Sequence, residues 1–175
     1  MIKILGGKFK GRKLSNFNLE ALRPTKAIVR KSIMDTLTPF ENKDVLDLFS
    51  GVGTLGIEAL SRGAKSVCFV DKSPEAIRIL KKNINLLNIE SDADIRLLDV
   101  FKFLNKNSLK FDVIFADPPY YKYHFSDLID MIKPVLVNGG IFCYESNKIL
   151  VQESENIKIK KYGATQVIFW RKNEK

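Results

Sequence analysis

DVLDLFSGVGTLGIEALSRG, residues 44–63, decides the architecture. Its opening DVLDLF is a short apolar run of strand length, and TLGIEALSRG carries helical spacing. Between and within them stand Gly51, Gly53 and Gly56. A strand that turns at once into a helix needs backbone conformations that side chains disfavour, and glycine supplies them. The same turn lets a ligand approach bare backbone beside the helix N-terminus.

Outward from this unit the pattern repeats. SVCFVD is followed by PEAIRILKKNINLLN, DIRLLD by FKFLNK, FDVIFA by SDLIDMIKPVL, and GGIFCYES by a short segment. Alternation of strand and helix predicts an α/β fold, a mostly parallel sheet with helices on both faces. Two late runs, NIKIKKY and TQVIFW around Gly163, are expected to form an antiparallel edge. Upstream, MIKIL and KFKGRKL read as a small hairpin turning at Gly6-Gly7. RPTKAIVRKSIMDTL reads as a helix starting at Pro24 and Thr25, with Ile28, Ile33, Met34 and Leu37 near one face.

The chain has 175 residues, 45% hydrophobic and 28% charged, which suits one globular domain. No apolar run approaches the roughly 18 residues of a membrane span, and the N-terminus lacks a signal-like apolar stretch. A soluble, cytoplasmic protein without a membrane partner is expected. Cys68 and Cys143 lie in the strand-like VCFV and IFCY with no CxxC or nearby His, so they read as buried thiols and no metal is expected. The net charge of +9 is unevenly spread: residues 1–31 hold nine Lys/Arg against Glu20 alone, and the other 144 residues hold 20 bases and 19 acids. That asymmetry is the footprint of a polyanion-binding surface. Lys8, Lys10, Arg12, Lys13, Arg23, Lys26 and Arg30 are its candidate nucleic-acid-contacting residues.

In an open parallel sheet, ligands bind at the carboxyl ends of the strands. The glycine turn alone fits a bare structural turn or any adenosine cofactor, a nicotinamide dinucleotide included. Asp71, 20 residues after Gly51, ends the second strand, where a carboxylate accepts from ribose hydroxyls. Asp99 ends the third and could contact an adenine amine or simply cap the next helix. With Asp47 and Asp117, four carboxylates would line one edge, repelling a diphosphate and favouring a sulfonium cofactor, S-adenosylmethionine. The cofactor set read from these motifs is Asp47, Phe49, Gly51, Gly53, Gly56, Asp71 and Asp99.

After the fourth strand comes FADPPYYKYHF, residues 115–125: a carboxylate, two prolines that fix φ and remove two donors, then aromatics around the only histidine. DLFSGVGTLGIEAL, FVD and DPPY together resemble the Rossmann-like class I methyltransferases that modify exocyclic amines. GGKFKGRKL, LRPT, DLFSGVGTLGIEALSRGA and FADPPY in that order resemble, over essentially the full length, the bacterial RsmD family. That resemblance implies a seven-stranded sheet, S-adenosylmethionine, and methylation of guanine N2 in 16S ribosomal RNA. The aromatic run after DPPY departs from the pattern expected of the family.

An exocyclic amine is a poor nucleophile because its lone pair is delocalised into the ring, so it needs positioning. Asp117 and the Pro118 carbonyl can accept from the NH2, Pro118 and Pro119 hold those acceptors, and Tyr120 can stack on the base, worth about 1 to 3 kcal/mol. His124 reads as packing. Phe101 and Phe103 read as core, with one of them able to border an adenine, and Glu145 is open between a site and a strand terminus. Residues 1–40 are expected to be an RNA-binding extension and 41–175 the catalytic domain, acting as a monomer. An adenine-N6 DNA methyltransferase, a non-catalytic RNA-binding protein and a nicotinamide-linked oxidoreductase remain as alternatives. The short extension grips phosphates better than it reads bases, so the expected substrate is a folded RNA surface, a small-subunit particle or assembly intermediate.

Overall fold

The computed structural model describes residues 2–16, 27–119, 123–147 and 149–173. A two-stranded ribbon, β1 (Ile2–Lys3) with β2 (Lys13–Leu14), precedes helix α1 (Ala27–Leu37). The sheet strands and their helices follow as β3 (Asp44–Leu48), α2 (Thr54–Ser61), β4 (Ser66–Asp71), α3 (Pro74–Leu87), β5 (Ala93–Leu97), α4 (Val100–Lys106), β6 (Phe111–Ala116), α5 (Phe125–Ile132), β7 (Leu136–Asn147), β8 (Ile157–Tyr162) and β9 (Thr165–Arg171).

The strands form a seven-stranded sheet in the order β5-β4-β3-β6-β7-β9-β8. β3 to β7 run parallel, and the final pair makes up one edge. Within that pair β9 is the strand that opposes the rest, antiparallel to both β7 and β8. The period of two along each strand divides the core. Val45, Val67, Phe69, Val113, Phe115 and Cys143 meet α1, α2 and α3 on one face. Leu46, Leu48, Val70, Ile114, Ala116 and Phe142 meet α4 and α5 on the other. Both cysteines are buried and free, and burial pushes the Cys68 thiol up to about 12.

Two local expectations are corrected. The hairpin does not turn at Gly6-Gly7: Ile4 N donates to Arg12 O at 3.0 Å and Gly11 N to Ile4 O at 2.9 Å, so the ladder runs on around a 3-10 turn at Gly7–Phe9. Gly7 (φ +74°) is needed because a Cβ there would fall 1.8 Å from the Ser61 carbonyl oxygen. Close approach to α2 selects this glycine. In α1, Ile28 is 67% exposed, and Val29, Arg30, Ile33, Met34 and Leu37 form the buried stripe. The expected helix start at Pro24 and Thr25 lies outside the described residues.

Candidate active site

The strand order reverses between β3 and β6, whose chains leave the sheet side by side with Leu48 paired to Ala116. A crevice opens where neighbouring strands send their connections to opposite sides. The glycine turn (residues 49–53) and the Asp117-Pro118-Pro119 segment are therefore neighbours by topology. Ser50 N donates to Val70 O at 3.2 Å and Gly53 N to Ser50 O at 2.8 Å, and Gly51 and Gly53 take φ of 55° and 86°. Phe49 is also left-handed, φ 57°, a conformation that costs a bulky residue of order 1 kcal/mol or more. Gly56 serves packing: a Cβ there would meet the Phe69 ring at 2.3 Å.

Asp71 holds the turn. Its Oδ2 accepts from Gly51 N and its Oδ1 from Ser73 N, both at 2.8 Å, tying the end of β4 to the turn and to the start of α3. A carboxylate has about four acceptor positions, so two amides leave room for a ribose diol. Asp47 is buried, on the face of β3 that α2 covers, and its Oδ2 accepts from Gly56 N at 2.9 Å. Burial, opposed by that hydrogen bond and reinforced by the charges of Asp117 and Asp71, raises its carboxyl to about 7. Asp99 caps α4, its Oδ1 accepting from Phe101 N at 3.1 Å and Lys102 N at 3.2 Å.

The cluster fits a cationic ligand. Three carboxylates close enough to raise the pKa of the most buried one are stabilised by a nearby positive charge and destabilised by a phosphate.

Asp117 is half-buried at the end of β6, Pro118 is buried and Pro119 exposed. Tyr120, expected to stack on the base, lies outside the described residues. The sequence did not reveal the aromatic wall that is present. Tyr123 sits 4.8 Å from Phe49 and 5.5 Å from Phe101 between ring centroids, and the Tyr144 hydroxyl donates to Tyr123 O at 2.7 Å. This wall joins the glycine turn, α4 and the segment after Asp117. Phe49 follows β3, Phe101 lies on α4 and Tyr123 comes after β6, so the wall depends on how separate elements pack and spacing carried no signal of it. Phe103 is in the core and His124 is exposed just before α5.

Among the basic residues, Lys8, Lys10, Arg12 and Lys13 are exposed on the hairpin, while Arg23 and Lys26 lie outside the described residues. Arg30 is a correction: it is 3% exposed, donates through Nη2 to Lys3 O at 2.7 Å and faces Glu58 at 4.0 Å. It sits on the buried stripe of α1, so it braces the hairpin instead of meeting solvent. Glu58 also accepts from Leu5 N at 2.9 Å, and Ser61 Oγ accepts from Phe9 N at 3.0 Å and donates to Gly6 O at 2.6 Å. The hairpin is thus fastened to the C-terminal half of α2.

Residues 2–171 match the sequence model of a family described as conserved hypothetical protein 95. The ribosomal RNA small subunit methyltransferase D of Haemophilus influenzae is 39% identical over 161 residues, 90% of this chain and 80% of that protein. A putative rRNA methyltransferase of Bacillus subtilis is 32% identical over 182 residues, covering 98% of this chain and 99% of its own. The solved structure of a putative methyltransferase from Escherichia coli superposes with a TM-score of 0.87 at 26% identity, with 99% of each chain covered.

Proposed function

We propose, since the chain belongs to the RsmD family of S-adenosylmethionine-dependent methyltransferases, that it methylates the exocyclic N2 amine of one guanine in 16S ribosomal RNA, presented on a small-subunit particle or assembly intermediate. The observation that carries the reading is the adjacency of the glycine turn after β3 and the Asp-Pro-Pro segment after β6. When bound, the cofactor supplies a methyl group on a positively charged sulfur. Asp71 and the backbone of residues 49–53 would hold its ribose and amino-acid portions, with Asp99 and Phe101 near the adenine.

The remaining steps belong to this chain. Asp117 and the Pro118 carbonyl accept the two amine hydrogens, which directs the nitrogen lone pair towards the incoming methyl. The two prolines limit the motion of those acceptors. The amine carries an extra proton once the methyl arrives, and a hydrogen-bonded Asp117 carboxylate is placed to accept it. A base-paired guanine must leave its stack first, at a cost of a few kcal/mol that contacts in the site must offset.

The docked hairpin offers point charges to phosphates and no element long enough to read several base edges, which favours a substrate recognised by shape. The test offers the protein methyl-labelled S-adenosylmethionine with undermethylated small subunits, protein-free 16S RNA and unmethylated genomic DNA in parallel. Label is expected as N2-methylguanine in the small subunits. Label in DNA as N6-methyladenine, with none in either RNA sample, would overturn the reading.

A further inference from the structure

One side chain joins the hairpin to the glycine turn. Asn83, on α3, is 0% exposed. Its Oδ1 accepts from Ser15 N at 2.7 Å, and its Nδ2 donates to Ser15 O and to Val52 O, both at 3.1 Å. Two carbonyls and one amide as partners fix which end of the side chain is the oxygen. Ser15 directly follows β2 of the hairpin, and Val52 lies between Gly51 and Gly53.

The position is an odd one for an amide. Ala76, Ile77, Leu80, Ile84 and Leu87 make the buried stripe of α3, and Asn83 occupies a site in that apolar register. Burying an amide there is unfavourable unless every polar atom is paired, and both ends of the side chain are bonded, through three hydrogen bonds. Moving either Ser15 or Val52 away strands a buried donor or acceptor, so the two backbone segments are constrained together. The other polar anchors of the hairpin, Arg30 on α1, Glu58 and Ser61 on α2 and the Leu86 carbonyl of α3 that Arg12 reaches, make no bond to the turn among the described residues.

We infer that Asn83 is a positioning residue that couples cofactor binding at the glycine turn to RNA binding at the hairpin, each ligand ordering the bridge that the other requires. The inference rests on the function proposed above. Coupling of this kind is reciprocal, so RNA tightens the cofactor by the same factor as the cofactor tightens RNA.

The experiment is equilibrium dialysis of labelled S-adenosylhomocysteine with the full chain, with and without saturating undermethylated small subunits. In the unmodified protein the particles are expected to tighten binding by about tenfold, within the usual range of coupling. Asn83→Leu should bring that ratio to about one. Ser15→Pro removes the amide donor on the hairpin side, fixes φ at that position and leaves the Asn83 bond to Val52 in place. It should abolish the ratio while keeping particle-free affinity within about twofold of the unmodified value, a separation that a purely structural role for Asn83 would not produce. Should Asn83→Leu fail to fold, Ser15→Pro alone decides. A ratio near one in the unmodified protein, or an unchanged ratio in Ser15→Pro, overturns the coupling. A protein that binds both ligands without coupling loses this inference alone, whereas one that binds neither also loses the proposed function.

Discussion

Asp47 is an acid whose folded pKa, about 7, stands above the ordinary value of 3.8 that an unfolded chain shows. Between those values the folded state keeps a proton that the unfolded state has released, so this group makes stability fall as pH rises from about 4 to about 7, and contributes no further slope above that. The loss is at most about 4 kcal/mol, one pKa unit being ~1.4 kcal/mol. Asp47→Asn keeps an oxygen for Gly56 N and removes the charge, so urea denaturation across this range should show a flatter stability profile. An unchanged profile would mean that Asp47 is not the titrating group. Asp71→Ala strips acceptors from two amides and should weaken S-adenosylhomocysteine binding roughly 10- to 100-fold by calorimetry, with RNA affinity of the cofactor-free protein nearly intact. Asp117→Ala should cut turnover roughly 10²- to 10³-fold while the cofactor still binds. Turnover near the unmodified level would remove Asp117 from the chemistry.

At the scale of elements, the hairpin and α2 behave as one fastened unit. Gly7 lies against the Ser61 carbonyl with no space for a methyl group and with a left-handed backbone. Gly7→Ala is therefore expected to cost about 1 to 3 kcal/mol and to lift the hairpin from α2. RNA affinity should fall while S-adenosylhomocysteine affinity in the absence of RNA changes little. Equal losses in both would show that the hairpin supports the whole fold. Helix α3 displays how a polar residue is concealed in a pattern: NINLL reads as an amphipathic run, and Asn83 within it is visible only as a polar residue on the apolar stripe. Its partners, Ser15 and Val52, lie outside α3, so the helical pattern alone does not name them.

Over the whole molecule, the hairpin that carries Lys8, Lys10, Arg12 and Lys13 is fastened to α2, while Asp47, Asp71 and Asp117 lie at or beside the carboxyl ends of β3, β4 and β6. If Lys8, Lys10, Arg12 and Lys13 grip phosphates, Arg12→Ala with Lys13→Ala should lower the log-log salt slope of RNA binding by roughly 0.7 to 0.9 for each phosphate no longer neutralised. A slope that does not change would place the phosphate grip elsewhere. Arg12 has a second task, since its Nη2 donates to Leu86 O at 2.6 Å while its guanidinium lies 5.9 Å from the Phe9 ring centroid. Among the described residues no helix is long and apolar enough to cross a membrane. The sequence by itself determined the alternation of strands and helices, the glycine turn, the acid that ends β4 and the Asp-Pro-Pro segment after β6. Each is a local pattern, set by periodicity and by backbone conformations that few residues adopt. Tertiary structure alone decided that Arg30 is a brace, that Asp47 is buried against Gly56, that Phe49, Phe101 and Tyr123 form one wall, and that Asn83 bridges Ser15 and Val52. Those outcomes depend on which strands pair and which helix face meets the sheet. Asn83 meets Ser15 across 68 positions of the chain and Arg12 meets Leu86 across 74, separations at which no local spacing records that the two residues touch.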